Sequence, residues 1–234
     1  MSSIYNIPSW FAGYDIFLEL LFALITGIVA YYAFRVYKVS KQRSARLFGL
    51  GFSFISASYV FWAIMNSIIM SQLTLDAESI TINQLIAHVN NLYIIRFLSF
   101  YAHVILLTVG LVLLVYMTFK VKSPKAFLST LILGLIVITA SNQQATAFYL
   151  LSSIFFAFIT VYYVQEYNLH RNNRLICSLI AFVLLFITSA INFLFLRDSS
   201  EFYVVGHILQ LIAYVLVANN LYSSVKHGQK KKSP

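Results

Sequence analysis

The sequence predicts an all-α, polytopic integral membrane bundle of seven transmembrane helices, with the N-terminus outside and the C-terminus inside. Three observations predict it: scarce charge, long uninterrupted apolar runs, and basic residues confined to alternate connections. Hydrophobic residues make up 60% of the chain and charged residues 10%, against about 25% charged in soluble domains. Mean hydropathy is +0.82. Only helices or closed barrels satisfy every backbone group in lipid. The apolar runs are continuous and longer than the alternating strands of about ten residues in a membrane barrel, so the spans are helices.

The spans read as residues 14–35, 47–70, 93–119, 126–140, 146–166, 175–196 and 201–225. Each approaches the roughly 20 residues that cross hydrocarbon, and the fourth is short. Pro124 sits where the first turn of a helix tolerates proline. Residues 1–225 form a single seven-helix transmembrane domain, and 226–234 a basic cytoplasmic tail. MSSIYNIPSW has no basic stretch before the first apolar run, so the first span reads as retained rather than cleaved.

Of the 16 basic residues, all but Arg96 and Arg197 fall on alternate connections. Arg35, Lys38, Lys41, Arg43 and Arg46 follow span one; Lys120, Lys122 and Lys125 follow span three; Arg171 and Arg174 follow span five. Lys226, Lys230, Lys231 and Lys232 lie in the tail. Cytoplasmic loops collect lysine and arginine, which sets the orientation and requires an odd number of spans. Of the acids, only Glu166 falls on the basic side. The net charge of +9 thus follows from topology, and the basic loops suit anionic headgroups. A nucleic-acid partner is excluded, because the basic residues are dispersed over short connections.

The connection 71–92 contains no lysine or arginine. Ile80, Ile82, Leu85, Ile86, Val89 and Leu92 are spaced for an apolar helix face, with Ser79 as a cap. Either span three begins well before the membrane or a short interfacial helix precedes it. Small residues recur at four-residue spacing, Ala23 and Gly27 in span one and Gly49, Ser53 and Ala57 in span two, which permits close helix approach.

The candidate ligand-binding residues are Asp15, Glu19, Asn66, Arg96, His103, His207, Gln210 and Tyr214. All fall in the outer halves of spans one, two, three and seven. Polar groups at membrane depth face protein or a water-filled cavity. Arg96, Ser99 and His103 share one face of span three, and His207, Gln210 and Tyr214 form a stripe on span seven. Asn192 lies near the outer end of span six. Spans one, two, three and seven are expected to line an outward-opening cavity, with Arg96 paired to Asp15 or Glu19 and the two histidines at the floor.

Two intramembrane histidines on different helices are also the pattern that ligates haem b axially, which makes a transmembrane electron-transfer subunit the alternative. A zinc site from His103, His207 and Glu19 is a weaker reading, since no HExxH occurs. No catalytic residue, nucleophile motif, phosphate loop or dinucleotide fingerprint is present, so no enzyme activity is expected. The single cysteine, Cys177, excludes an intramolecular disulfide. The last span has no lysine at mid-depth for a retinal, and the chain lacks mid-membrane relay charges for an ion pump.

GHILQLIAYVLVANNLY, followed by basic residues, resembles the final helix of the seven-helix membrane sensor regions of prokaryotic signalling proteins. The first span with FRVYKVSKQRSARLFGLGF is similar to uncharacterised small seven-span membrane proteins of archaea. The resemblance implies a receptor- or sensor-like, non-enzymatic protein of the cell membrane. In the sensor families an output domain is joined to the membrane region. Here the sequence stops soon after span seven, so output is expected to come from a membrane or cytoplasmic protein partner. A scaffold subunit of a membrane complex is the remaining class.

Overall fold

The computed structural model describes residues 11, 13–75, 82–121, 123–171, 173–195 and 200–230. These fold into seven α-helices: α1 (Tyr14–Ser40), α2 (Arg43–Leu75), α3 (Ile82–Thr118), α4 (Pro124–Ala140), α5 (Gln144–His170), α6 (Asn173–Phe195) and α7 (Ser200–Lys230). Each contains the span expected from sequence to within a residue or two, and most run beyond it, because a helix need not end where hydrocarbon ends. Six are long and apolar enough to cross a membrane; α4, at 17 residues, is the shorter one.

The exterior confirms the medium. Phe17, Leu20, Leu24, Ile28 and Tyr31 form an exposed stripe on α1, whereas Glu19 and Thr26 of the same helix are buried. On α4, Leu128, Ile132, Leu133, Ile136 and Val137 are exposed. Apolar surface this continuous is incompatible with water. Apolar residues outward and polar residues inward is the distribution of a multi-pass membrane protein in contact with lipid.

Six helices close a ring through the neighbouring pairs α1–α2, α2–α3, α3–α5, α5–α6, α6–α7 and α7–α1. α4 lies outside the ring and, among the described helices, packs on α3 and α5 alone. The apolar span of α3 is 67% buried and those of the other long helices 33–44% buried. The tightest crossing is α2 on α3. A Cβ at Gly110 would come within 2.7 Å of the Gly51 carbonyl, and one at Gly51 within 3.0 Å of the Gly110 carbonyl, so only glycines allow the two backbones to touch. The small residues of α1 make an internal contact: Ser56 Oγ donates to the Ala23 carbonyl at 2.7 Å, and a Cβ at Gly27 would lie 3.2 Å from the same Ser56 Oγ.

The turns after α1, α3 and α5 share a device. Lys41, Lys120 and Arg171 all have positive φ, 56°, 52° and 44°. Left-handed backbone costs an L-residue about 1 kcal/mol, and glycine normally occupies such positions. Basic side chains here complement the carbonyl end of each helix dipole. Arg43 bonds the Tyr116 hydroxyl at 3.4 Å and stacks over its ring, joining α2 to α3 at this end. Lys120 reaches Glu166 at 3.8 Å, joining α3 to α5.

The alternative readings of connection 71–92 are resolved in part: α3 is one continuous helix from Ile82, about 55 Å long. Ser79, Ile80, Arg197 and the tail beyond Lys230 lie outside the described residues. α7 itself continues to Lys230, so the segment expected as tail from 226 begins as helix.

Candidate functional site

A partly enclosed cavity of about 60 Å³ lies inside the ring, toward the end where α1, α3, α5 and α7 begin and α2 and α6 finish. Six helices line it. α1 gives Glu19, α2 gives Tyr59 and Trp62, and α3 gives His103 and Leu107. α5 contributes Phe148, Tyr149, Ser152 and Phe156. α6 contributes Leu185, Thr188, Ser189 and Asn192, and α7 contributes Tyr203, His207, Gln210 and Tyr214.

Glu19 is 2% exposed. The Asn66 amide donates to both of its carboxylate oxygens at 3.2 Å, and Trp62 gives it a further side-chain hydrogen bond. Asn66 and Trp62 lie four residues apart on α2 and therefore share its face. Asp15 is also buried, yet it is turned to its own helix start: its Oδ1 accepts the backbone N–H of Gly13 and of Ile16, each at 2.9 Å. Asp15 serves the first turn of α1 and does not line the cavity.

Both histidines reach the cavity in a fixed tautomer. His103 Nδ1 donates to the Ser58 carbonyl at 3.2 Å, and His207 Nδ1 to the Tyr203 carbonyl at 2.9 Å. A carbonyl only accepts, so each Nδ1 carries a proton and each neutral ring keeps Nε2 as an acceptor. Aromatic rings hold both imidazoles: Trp62 lies 4.9 Å from His103, and Tyr203 lies 4.1 Å from His207.

Gln210 ties α7 to α2. Its Nε2 donates to the hydroxyls of Tyr59 and of Tyr214, the latter at 3.2 Å, which leaves its carbonyl oxygen as an acceptor. Ser152, Ser189 and Asn192 line the cavity at 4%, 6% and 4% exposure. None of these three makes a side-chain hydrogen bond among the described residues.

The structure thus brings together five of the eight residues expected from sequence, Glu19, His103, His207, Gln210 and Tyr214, with Asn66 immediately behind Glu19. Two expectations are corrected. Arg96 is exposed and pairs with neither Asp15 nor Glu19. It lies about 10 Å from His103 along α3, on the part of the helix where Tyr93, Ile94, Phe97 and Leu98 are also exposed, before α3 enters the ring. The lining is also wider than spans one, two, three and seven, because α5 and α6 supply eight of its seventeen residues.

Sequence reasoning passed over Tyr59, Trp62, Tyr149, Ser152, Thr188, Ser189 and Tyr203 as site residues. The polar run of Thr188, Ser189 and Asn192 at i, i+1 and i+4 inside an apolar span was a signal that could have found α6. Among the described residues no group of three His, Cys, Asp or Glu side chains able to hold a metal occurs.

No family model matches the chain, no curated protein matches it, and no solved structure matches it.

Proposed function

We propose that this is a non-enzymatic, receptor- or sensor-like membrane protein of the cell membrane, with seven spans, in which the interhelical cavity receives a small polar ligand. The observation that carries the reading is the trio Ser152, Ser189 and Asn192. These three, from two helices, converge on one recess with their polar atoms open to it, and a ligand or bound water would supply their bonds. The volume narrows the ligand. About 60 Å³ is far below the roughly 300–1,000 Å³ of drug-sized sites, so the occupant is a very small molecule or the head of a larger one.

The register of α4 supports the seventh span. Phe127 near its start packs on Tyr116 of α3 at 5.7 Å, and a Cβ at Gly134 would lie 3.8 Å from Thr108. Just after α4, Gln144 donates to the Tyr101 hydroxyl at 2.5 Å. Positions 127, 134 and 144 therefore meet 116, 108 and 101 in descending order. α4 runs antiparallel to α3 over about 25 Å, close to the hydrocarbon thickness of about 30 Å. With seven spans, the rule that lysine and arginine stay inside puts the cavity in the outer half and the basic end, from Arg43 to Lys226, against the cytoplasm and its protein partner.

The haem b alternative has less support. The Nδ1 bonds of His103 and His207 are of the kind that orient axial ligands. The space shared by the rings, however, does not fit a porphyrin, because Tyr59, Tyr214 and Gln210 are bonded to one another beside it. A purified sample without a Soret band, from cells that supply haem, is the expected outcome.

The ligand reading is tested by thermal unfolding of the detergent-solubilised protein with a series of small amines, amides and alcohols. Saturable stabilisation by one chemical class is expected, and its loss in Asn192→Leu with the unliganded midpoint preserved. If no member of the series stabilises the protein, the cavity is a hydrogen-bonded structural network.

A further inference from the structure

The chemistry of the lining selects among small ligands. We infer that the cavity binds a small primary ammonium group, with Glu19 as its counter-charge; the inference rests on the ligand-binding reading above and names the class of ligand.

Charge is the first argument. Glu19 is 2% exposed and its carboxylate faces the cavity. The Asn66 amide lies 3.2 Å from each of its oxygens, an arrangement that suits a delocalised carboxylate accepting on both. No lysine or arginine lines the cavity, and among the described residues none pairs with Glu19. Arg96, the cation nearest in sequence expectation, is exposed elsewhere on α3. A buried acid with no counter-charge is held as the neutral acid or is paired with a cation, and a bound ammonium would supply that pairing.

Hydrogen-bonding capacity is the second. With both Nδ1 atoms and the Gln210 Nε2 already committed to protein acceptors, the groups left to face the cavity are rich in acceptors. They are the carboxylate of Glu19, the Nε2 atoms of His103 and His207, and the Gln210 carbonyl oxygen. Ser152, Ser189 and Asn192 add donors as well as acceptors, so Glu19 sets the preference for a cation over an anion. A group with three N–H donors matches the set.

The aromatic wall is the third. Tyr59, Trp62, Phe148 and Tyr203 line the same space, and ring faces attract a cation more strongly as water is excluded. This wall also separates an organic ammonium from a hard metal ion. Calcium and sodium-like cations require several oxygen ligands, and no metal-holding cluster forms among the described residues. Size completes the argument. About 60 Å³ suits a small head rather than a drug-sized molecule, and a quaternary head has no N–H to offer these acceptors.

The test is calorimetric titration of the full-length protein in detergent with methylammonium chloride. Sodium chloride, tetramethylammonium chloride, methanol and sodium formate serve as comparison probes. Methylammonium is expected to bind saturably and the others not. In Glu19→Gln, which keeps an acceptor for Asn66, the affinity is expected to fall about tenfold or more, the value of a hydrogen bond to a charged group. If methanol or formate binds as well as methylammonium, the cavity takes a ligand but the ammonium assignment is wrong. If no probe binds, both the assignment and the ligand reading fall. Should Glu19→Gln not fold, the probe panel on the unsubstituted protein decides by itself.

Discussion

The hydroxyls of Tyr59 and Tyr214 lie 3.1 Å apart and join two helices, α2 and α7, that are not neighbours in the ring. α1 separates them, and its Phe22 packs on both rings, 5.3 Å from Tyr59 and 5.8 Å from Tyr214. With the Gln210 amide bonded to both hydroxyls, the pair closes the polar cavity from the apolar half of the bundle below it. Tyr59→Phe and Tyr214→Phe are each expected to cost about 1 kcal/mol in reversible unfolding. The double substitution strips the Gln210 amide of both partners, so the effects should be coupled by about 0.5 kcal/mol or more. Strict additivity would show that the two hydroxyls do not interact.

The α2–α3 crossing sets the distance between Tyr59 and His103, whose rings lie 5.5 Å apart. Gly110→Ala places a methyl 2.7 Å from both the Gly51 carbonyl and Ile55 Cγ1, where backbone must move. A loss of about 1–3 kcal/mol is expected. Gly206→Ala meets only the Asn192 amide, at 3.0 Å, and a side chain can turn. Its cost should be smaller, with a larger effect on whatever the cavity binds. Unfolding midpoints of the two variants, with and without solute, check the order.

Arg96 is expected to be silent. It is exposed, and surface substitutions away from special features stay within about 0.5 kcal/mol. Arg96→Ala should leave both stability and ligand response unchanged. A loss of several kcal/mol would mean that Arg96 does pair with Glu19, as its sequence position suggested.

The seventh span can be checked by labelling. With Cys177 replaced by serine, single cysteines at Ser141, Lys41 and Arg171 are placed in the connections after α4, α1 and α5. A membrane-impermeant maleimide added to intact cells should modify position 141 alone. Equal labelling of all three, or of none, contradicts the seven-span orientation.

Much of the fold was legible because membrane spans are encoded by composition over some twenty residues, and helix bounds tolerate local error. The site was legible where a polar side chain stood out within an apolar run, as with Glu19, His103, His207 and Gln210. Tyr59, Trp62 and Tyr203 were not, because an aromatic ring in such a run looks the same whether it meets lipid or a cavity. Ser152 and Ser189 were hidden for a related reason: a helical serine commonly returns its hydroxyl to its own backbone, as Ser53 does to the Gly49 carbonyl at 2.9 Å. Arg96 misled because helix periodicity gives its face but not the level at which α3 joins the ring. The exclusion of α4 from the ring was invisible to any one-dimensional pattern.

The most direct test of a ligand-binding cavity uses Trp62, which lines it and packs on His103. The chain has two tryptophans, so replacing Trp10 by phenylalanine leaves Trp62 as the sole reporter. Its emission is followed while small amines, amides and alcohols are titrated into the solubilised protein. A saturable change with one class, abolished in Asn192→Leu, is the predicted result. Changes that are linear in concentration for every solute, the same in both proteins, would contradict it and leave the polar groups as a network that only ties the helices together.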